Sequence, residues 1–275
     1  MHNAFRKAIE ANFGQDFVQF VLDIHKWFKL SAARMDDYET VQKELGLKQN
    51  RFLKHDETRW LPLGPALCRI IEQWKGIQEY FLKKLLKDNS LDLLKNPRYK
   101  RIRLILEQKD HAVVNMAFLV NITDMFEPFL GGFQTEAPLI HQLYTHLQEL
   151  FRCVLGRLLK SETILGKTTR ELLDLSFDDH SLQLKDSHLE IGEVTRKALQ
   201  RLSVSQQRES MLRMRKFLTT VANYLKHNLP FDNAILKSAR CLDPVNKNES
   251  WTVLSIKTLT RSVETGREIS VTQSC

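Results

Sequence analysis

The chain is short of the residues that make tight turns, cross-links and membrane spans. Only 10 glycines and 7 prolines occur in 275 residues, too few for a β-rich protein with many turns. The four cysteines, Cys68, Cys153, Cys241 and Cys275, are widely spaced and form no Cys-x-x-Cys pair. Neither a disulfide framework nor a zinc ribbon is expected from them. Cys68 and Cys153 fall on apolar faces of predicted helices, which predicts buried, reduced thiols. No apolar run reaches the roughly 18 residues of a membrane span. Arg6, Lys7 and Glu10 interrupt the N-terminus, so no signal-peptide core is read there. These absences point to a reducing intracellular compartment and to no membrane contact. Phosphate-cradling glycine loops and a Gly-x-Ser-x-Gly turn are also missing, so no cofactor and no small-molecule substrate is expected.

What is present favours helix. Hydrophobic residues make up 43% and charged residues 27%, enough apolar content for a packed core, and Leu, Lys, Arg, Glu and Gln dominate. Phe13, Phe17, Val18, Phe20, Val21, Ile24, Trp27 and Phe28 recur at helical spacing, with Phe5 and Ile9 before them, and read as one long helix or as two broken at Gly14. Asp36 and Glu39 read as a capping box, and Gly46 as the end of that helix. Pro62 and Pro65 mark the first turn of the next helix, which carries Leu67, Ile70, Ile71, Trp74, Ile77, Phe81 and Leu85 on one face. Asn96-Pro97 interrupts the chain. A helix then opens at Ile102 and runs to Phe126, with Pro128 and Gly131-Gly132 as its stop. Pro138 begins a helix with Leu143, Leu147, Leu150, Val154 and Leu158 inward.

Residues 174–190 read as a polar connection. A helix from about 190 to 228 follows, with Val194, Met211, Leu218, Val221 and Leu225 inward. The best strand candidates are Ser181–Leu184 and Trp251–Leu254, and the second fits a helix equally well. The fold expected is all-α, an irregular domain of seven to eight helices over 1–245, with a poorly ordered C-terminal tail over 246–275.

Net charge is +8, from 41 Lys+Arg against 33 Asp+Glu. Such a field suits nucleic acid or an acidic partner. Arg98, Tyr99, Lys100, Arg101 and Arg103, with Lys95 nearby, form the densest cationic cluster, where an aromatic ring can stack on a base while the cations meet phosphates. A solvated helix face is the competing reading. A second stretch, Arg208, Arg213, Arg215, Lys216 and Lys226, is spread round its helix and reads as solvated. Asp178-Asp179-His180 reads as a loop, because adjacent residues rarely converge on one ion. His141 and His146 lie five apart, not at the four-residue spacing of a zinc helix. No metal site is expected.

Arg59-Trp60 sets a planar cation beside an indole at the mouth of a helix. The pair can hold a phosphate and stack on a base, or it can lock the helix onto a core with Arg59 paired to Asp56 or Glu57. The segment Leu53–Leu61, with Leu67, Ile70, Ile71, Trp74, Tyr80 and Phe81 behind it, resembles the hAT family of DNA transposases and their domesticated descendants. The likeness spans roughly residues 2–245. It is also carried by His2–Lys7, by Leu229–Asn233 and by Ala239-Arg240-Cys241-Leu242-Asp243-Pro244.

The resemblance implies the all-helical insertion of a ribonuclease-H-like domain. It also implies a nuclear protein in which Arg59 and Trp60 contact DNA. The family's chemistry needs three carboxylates gripping two divalent metals. Asp16, Asp23, Asp56 and Glu264 do not stand in matching contexts, so no catalytic residue is assigned and a non-enzymatic protein is expected. Two further readings stand beside weak DNA contact. One is a helical module that meets a protein partner through exposed apolar helix faces. The other is a fragment from an incomplete transposase gene model.

Overall fold

The computed structural model describes residues 2–54, 63–87, 91–132 and 139–272. Among them the architecture is all-α: no strand is present, only one isolated bridge between Leu159 and Gln183. The chain divides into two compact units, each discontinuous in sequence: residues 1–127 with 184–221, and 128–183 with 222–275. The chain passes between the units within α9 (Lys109–Gly132), after Gln183, and within α14 (Val204–Asn228).

In the first unit, α1 (His2–Asn12) and α2 (Gln15–Lys29) are separated at Gly14, whose φ of +80° only glycine adopts freely. Phe17, Phe20, Val21, Ile24, Trp27 and Phe28 of α2 are all buried, as their spacing predicts. The next helix, α3 (Ala32–Glu44), starts earlier than the Asp36–Glu39 pattern suggests. Ser31 is its cap: extended backbone there lets Oγ accept from the Arg34 amide at 3.4 Å. Gly46, at φ +64°, follows its end.

The apolar run after residue 62 is broken rather than continuous. It forms α4 (Leu63–Glu72), α5 (Trp74–Glu79), a π turn over Tyr80–Lys84 and α6 (Leu85–Lys87). The break falls at Gln73, whose buried amide is held away from the helix. It accepts from the Tyr38 hydroxyl at 3.1 Å and from Gln42 Nε2 at 2.9 Å, and donates to the Lys48 carbonyl at 3.0 Å. The wide π turn brings two neighbours, Tyr80 and Phe81, inward together. They join Trp27, Phe28, Tyr38 and Phe52 in one aromatic cluster with ring centroids about 5–6 Å apart. Each such ring contributes roughly 1.5–3 kcal/mol by leaving water.

After α7 (Leu91–Lys95), Asn96 caps α8 (Pro97–Glu107), its Oδ1 accepting from the Arg98 and Tyr99 amides. Helix α9 begins after a kink at Gln108 and runs through Pro128 to Gly132. Proline removes one hydrogen bond near that end without stopping the helix. The helix expected over 190–228 is likewise two, α13 (Glu193–Leu199) and α14. Ser203 starts α14 by a reciprocal pair: its amide donates to Gln206 Oε1 and its Oγ accepts from the Gln206 amide. Because α13 is separate, Val194 is 66% exposed, not inward.

The second unit is built on α10 (Ile140–Leu158), where Leu147, Leu150, Val154 and Leu158 are buried as predicted. Its Phe151 packs against Phe177 and Phe231. Cys153 faces solvent, against the expectation of burial. Two short helices follow, α11 (Ser161–Ile164) and α12 (Thr169–Leu173), the latter capped by Thr168 with Glu171. The strand candidate Ser181–Leu184 amounts to the bridge at Gln183 and the Lys160 amide donating to the Leu182 carbonyl.

At the far end, α15 (Ala234–Ala239) leads through two 3-10 turns into α16 (Thr252–Thr272). A helix thus occupies most of the expected tail, and Thr252 anchors it by donating to the Asn246 carbonyl at 2.6 Å. Trp251–Leu254 resolves as the start of that helix. Among the described residues no helix is long and apolar enough to cross a membrane.

Candidate functional site

The densest cationic segment lies on α8, and the structure shows what its residues do. Tyr99 is fully buried against Trp27 and Phe81 and donates its hydroxyl to the Phe81 carbonyl at 3.0 Å. Burial holds that phenol above its ordinary range. Its ring belongs to the core, with no face open to a base, so the stacking role read from the sequence is corrected.

Arg98 and Arg101 lean from α8 onto α2, where Asp23 is only 1% exposed. Asp23 accepts from Arg98 Nε at 3.3 Å and from Arg101 Nε and Nη2 at 2.7 and 3.1 Å; Gln19 supplies a further donor at 3.0 Å. The geometry is that of a clamp: a carboxylate inside the first unit, closed by two guanidiniums of one helix. Arg103 pairs with Glu107 on its own helix at 2.7 Å. Lys100 remains exposed. Arg59 and Trp60 lie outside the described residues, as do Pro62 and Pro138.

The second cationic stretch is also partly structural. Arg215 is buried and meets Asp186 at 2.5 Å, and Arg213 pairs with Glu209 at 2.7 Å. Lys226 donates to the Leu175 carbonyl and sits 5.2 Å from the Phe177 ring.

A cationic cluster that the sequence reading passes over lies elsewhere in the first unit. A cleft of about 420 Å³ is lined by His25, Phe28, Lys29, Ala32, Met35, Arg51 and Phe52. Its third wall is the segment after α3, which has no regular structure but is pinned by its carbonyls. Gln73 donates to Lys48, Gln42 to Asn50 and Arg69 to Arg51, at 3.0, 3.2 and 2.8 Å. Lys26 and Lys54 add charge nearby. Burial, then Lys29, Lys54 and Lys26, push the His25 pKa below its ordinary value. None of Lys26, Lys29, Arg51 or Lys54 has an acidic partner among the described residues. A signal for this cluster does exist: cations at Lys48, Arg51 and Lys54, three apart, with no acidic residue between Glu44 and Asp56.

The remaining chemistry is quiet. Asp178 accepts from Asn223, Asp179 from the Ser181 amide, and His180 bonds Gln183. Among the described residues no three His, Cys, Asp or Glu side chains are grouped to hold a metal. Cys68 lines a pocket of about 290 Å³ with Glu72 and Asp124. Burial, then Asp124 and Glu72, hold its thiol above the usual range, the reverse of what a thiolate nucleophile needs.

No family model matches this sequence. No curated protein and no solved structure is significantly similar to it either.

Proposed function

We propose that this chain is a non-catalytic helical protein of hAT-transposase ancestry that works by docking a protein partner. The ancestry rests on the residues quoted above, from the Arg59-Trp60 segment to Leu242-Asp243-Pro244. The observation that carries the docking function is a set of exposed apolar residues on neighbouring elements of the second unit. Ile235, Leu242, Val245, Val253, Leu254 and Ile256 are all at least 48% exposed, and Val245 reaches 86%. They sit on α15, the two 3-10 turns and α16, elements that pack on one another. Apolar side chains gathered on adjoining elements mark a binding surface, whereas single ones scattered over a protein do not.

DNA contact through α8 is the weaker reading, because two of its arginines are bound to Asp23 and Tyr99 is internal. A nuclear location belongs to the ancestry and stands or falls with it.

A photo-crosslinking side chain placed at Val253, Leu254 or Lys100 in cells tests the choice. A discrete protein adduct from Val253 and Leu254, lost with Ile256→Glu, is expected. Capture of DNA from Lys100, with none from α16, would reverse the reading. DNA capture would also fade between about 50 and 200 mM salt, whereas apolar docking would persist.

A further inference from the structure

We infer that the cleft between α2, α3 and residues 48–54 binds a phosphate-bearing organic anion, with phosphate on Lys29 and Arg51 and the carbon framework along Ala32 and Met35. This site lies on the first unit, and the inference does not depend on the docking surface of the second. Three observations carry it.

The first is volume. About 420 Å³ lies within the usual range of small-ligand pockets and exceeds what a bare phosphate fills.

The second is composition. The lining is mixed: Phe28, Ala32, Met35 and Phe52 are apolar, and His25, Lys29 and Arg51 are basic. A naked anion would leave the apolar lining wet, and an uncharged apolar ligand would leave the cations unanswered. A nucleotide, free or within a single strand, has both halves.

The third is lack of compensation on a prepared frame. Elsewhere in this unit Arg98, Arg101, Arg103, Arg213 and Arg215 each face a carboxylate. Around the cleft no carboxylate among the described residues faces Lys26, Lys29, Arg51 or Lys54. The backbone bearing Arg51 is nonetheless fixed through three carbonyls, by Gln73, Gln42 and Arg69, so little ordering remains to be done on binding.

His25 is the built-in reporter. Its own helix sets Lys26 and Lys29 near it, and residues 48–54 add Arg51 and Lys54. From α3, Ala32 and Met35 line the cleft without charge. An anion seated among those cations cancels part of their repulsion, so the imidazole takes up a proton more readily and becomes a further donor.

The full chain is titrated with ATP, inorganic pyrophosphate and a short oligothymidylate, by calorimetry and by NMR of the His25 imidazole. The expected result is saturable one-site binding of ATP or of the oligonucleotide, with the His25 titration midpoint moving up. Lys29→Glu and Arg51→Glu should each weaken binding by about tenfold or more. Lys29→Gln should act in the same direction, and Lys216→Glu, a surface change on α14, should have no effect. Binding of ATP alone assigns a free nucleotide, and binding of the oligonucleotide alone assigns a single strand. Pyrophosphate binding as tightly as ATP would overturn the organic ligand. No binding, or binding unchanged in both charge-reversal variants, would overturn the site.

Discussion

Two cationic regions of the first unit have opposite fates. On α8 the arginines are turned inward in effect: Arg98 and Arg101 close over a carboxylate that is 1% exposed. Around His25 the cations are turned outward, with no acidic partner among the described residues. In sequence the first region looks the better ligand site, because five basic residues crowd into nine positions. The structure reverses the ranking. Density of charge along the chain measures how many cations are present, but availability depends on where the acids are in space. Asp23 lies 75 residues before Arg98, beyond any local pattern.

The largest effect should come from removing the clamp from one side only. Arg98→Leu together with Arg101→Leu leaves the Asp23 carboxylate buried with Gln19 as its remaining described donor. Destabilisation of about 4–5 kcal/mol is expected, near the top of the range for a stranded buried charge. Asp23→Leu alone should cost less, about 3 kcal/mol, because the guanidiniums are 28 and 38% exposed and can turn to water. The triple variant should recover much of the loss. Urea unfolding of the four proteins measures this directly. If the double and triple variants are equally unstable, the clamp is not an electrostatic unit.

Much of the fold is legible because it rests on periodicity. The buried faces of α2 and α10 follow from their 3.6-residue spacing, and Gly14 and Gly46 punctuate as their φ values require. The failures have physical causes that spacing does not encode. Gln73 reads as a polar residue inside a helix, yet its amide is recruited by Tyr38 and Gln42 from another helix, and the helix breaks there. Pro128 and Gly131-Gly132 read together as a stop, and α9 does end at Gly132, but near a C-terminus the hydrogen bond lost at Pro128 costs little and does not end the helix there. Ser203 and Gln206 are a capping signal in plain view, masked by an apolar pattern that runs on through both α13 and α14. The candidate site was hardest, because a local count of cations says nothing of remote carboxylates.

The second comparison concerns how each region is held. The clamp is a charge contact, while the cleft wall depends on a neutral network. Tyr38, Gln42 and Gln73 meet in the core, and burial keeps the Tyr38 phenol protonated well beyond its usual range. Gln73→Leu removes the acceptor of two buried donors and the donor to Lys48. A loss of about 2–3 kcal/mol is expected from the groups left unpaired. Amide exchange in residues 47–54 should accelerate more than in α8. Uniform acceleration across both regions would show that Gln73 matters to the whole unit and not to the cleft wall.

The smallest effect, and the one that most sharply separates the two regions, is the response to neutralising the outward cations. Lys29→Gln and Lys54→Gln remove like-charge repulsion and break no ion pair among the described residues, so stability at neutral pH should stay level or rise by a few tenths of a kcal/mol. The same changes on α8 are expected to destabilise. The pH dependence has a definite sign. His25 is held below its ordinary value of 6.5 in the folded protein. Above 6.5 it is neutral in both states and contributes nothing. As pH falls from 6.5 toward the lower folded value, the unfolded chain takes up the proton first and stability drops. Neutralising Lys29 and Lys54 lifts the folded value toward 6.5 and should flatten that acid-side slope, as His25→Gln should. Melting temperatures between pH 7.5 and 5 would measure it. A slope flattened by His25→Gln but unchanged in both lysine variants would mean that the lysines do not act on His25, and that the cleft is less positive than its residues suggest.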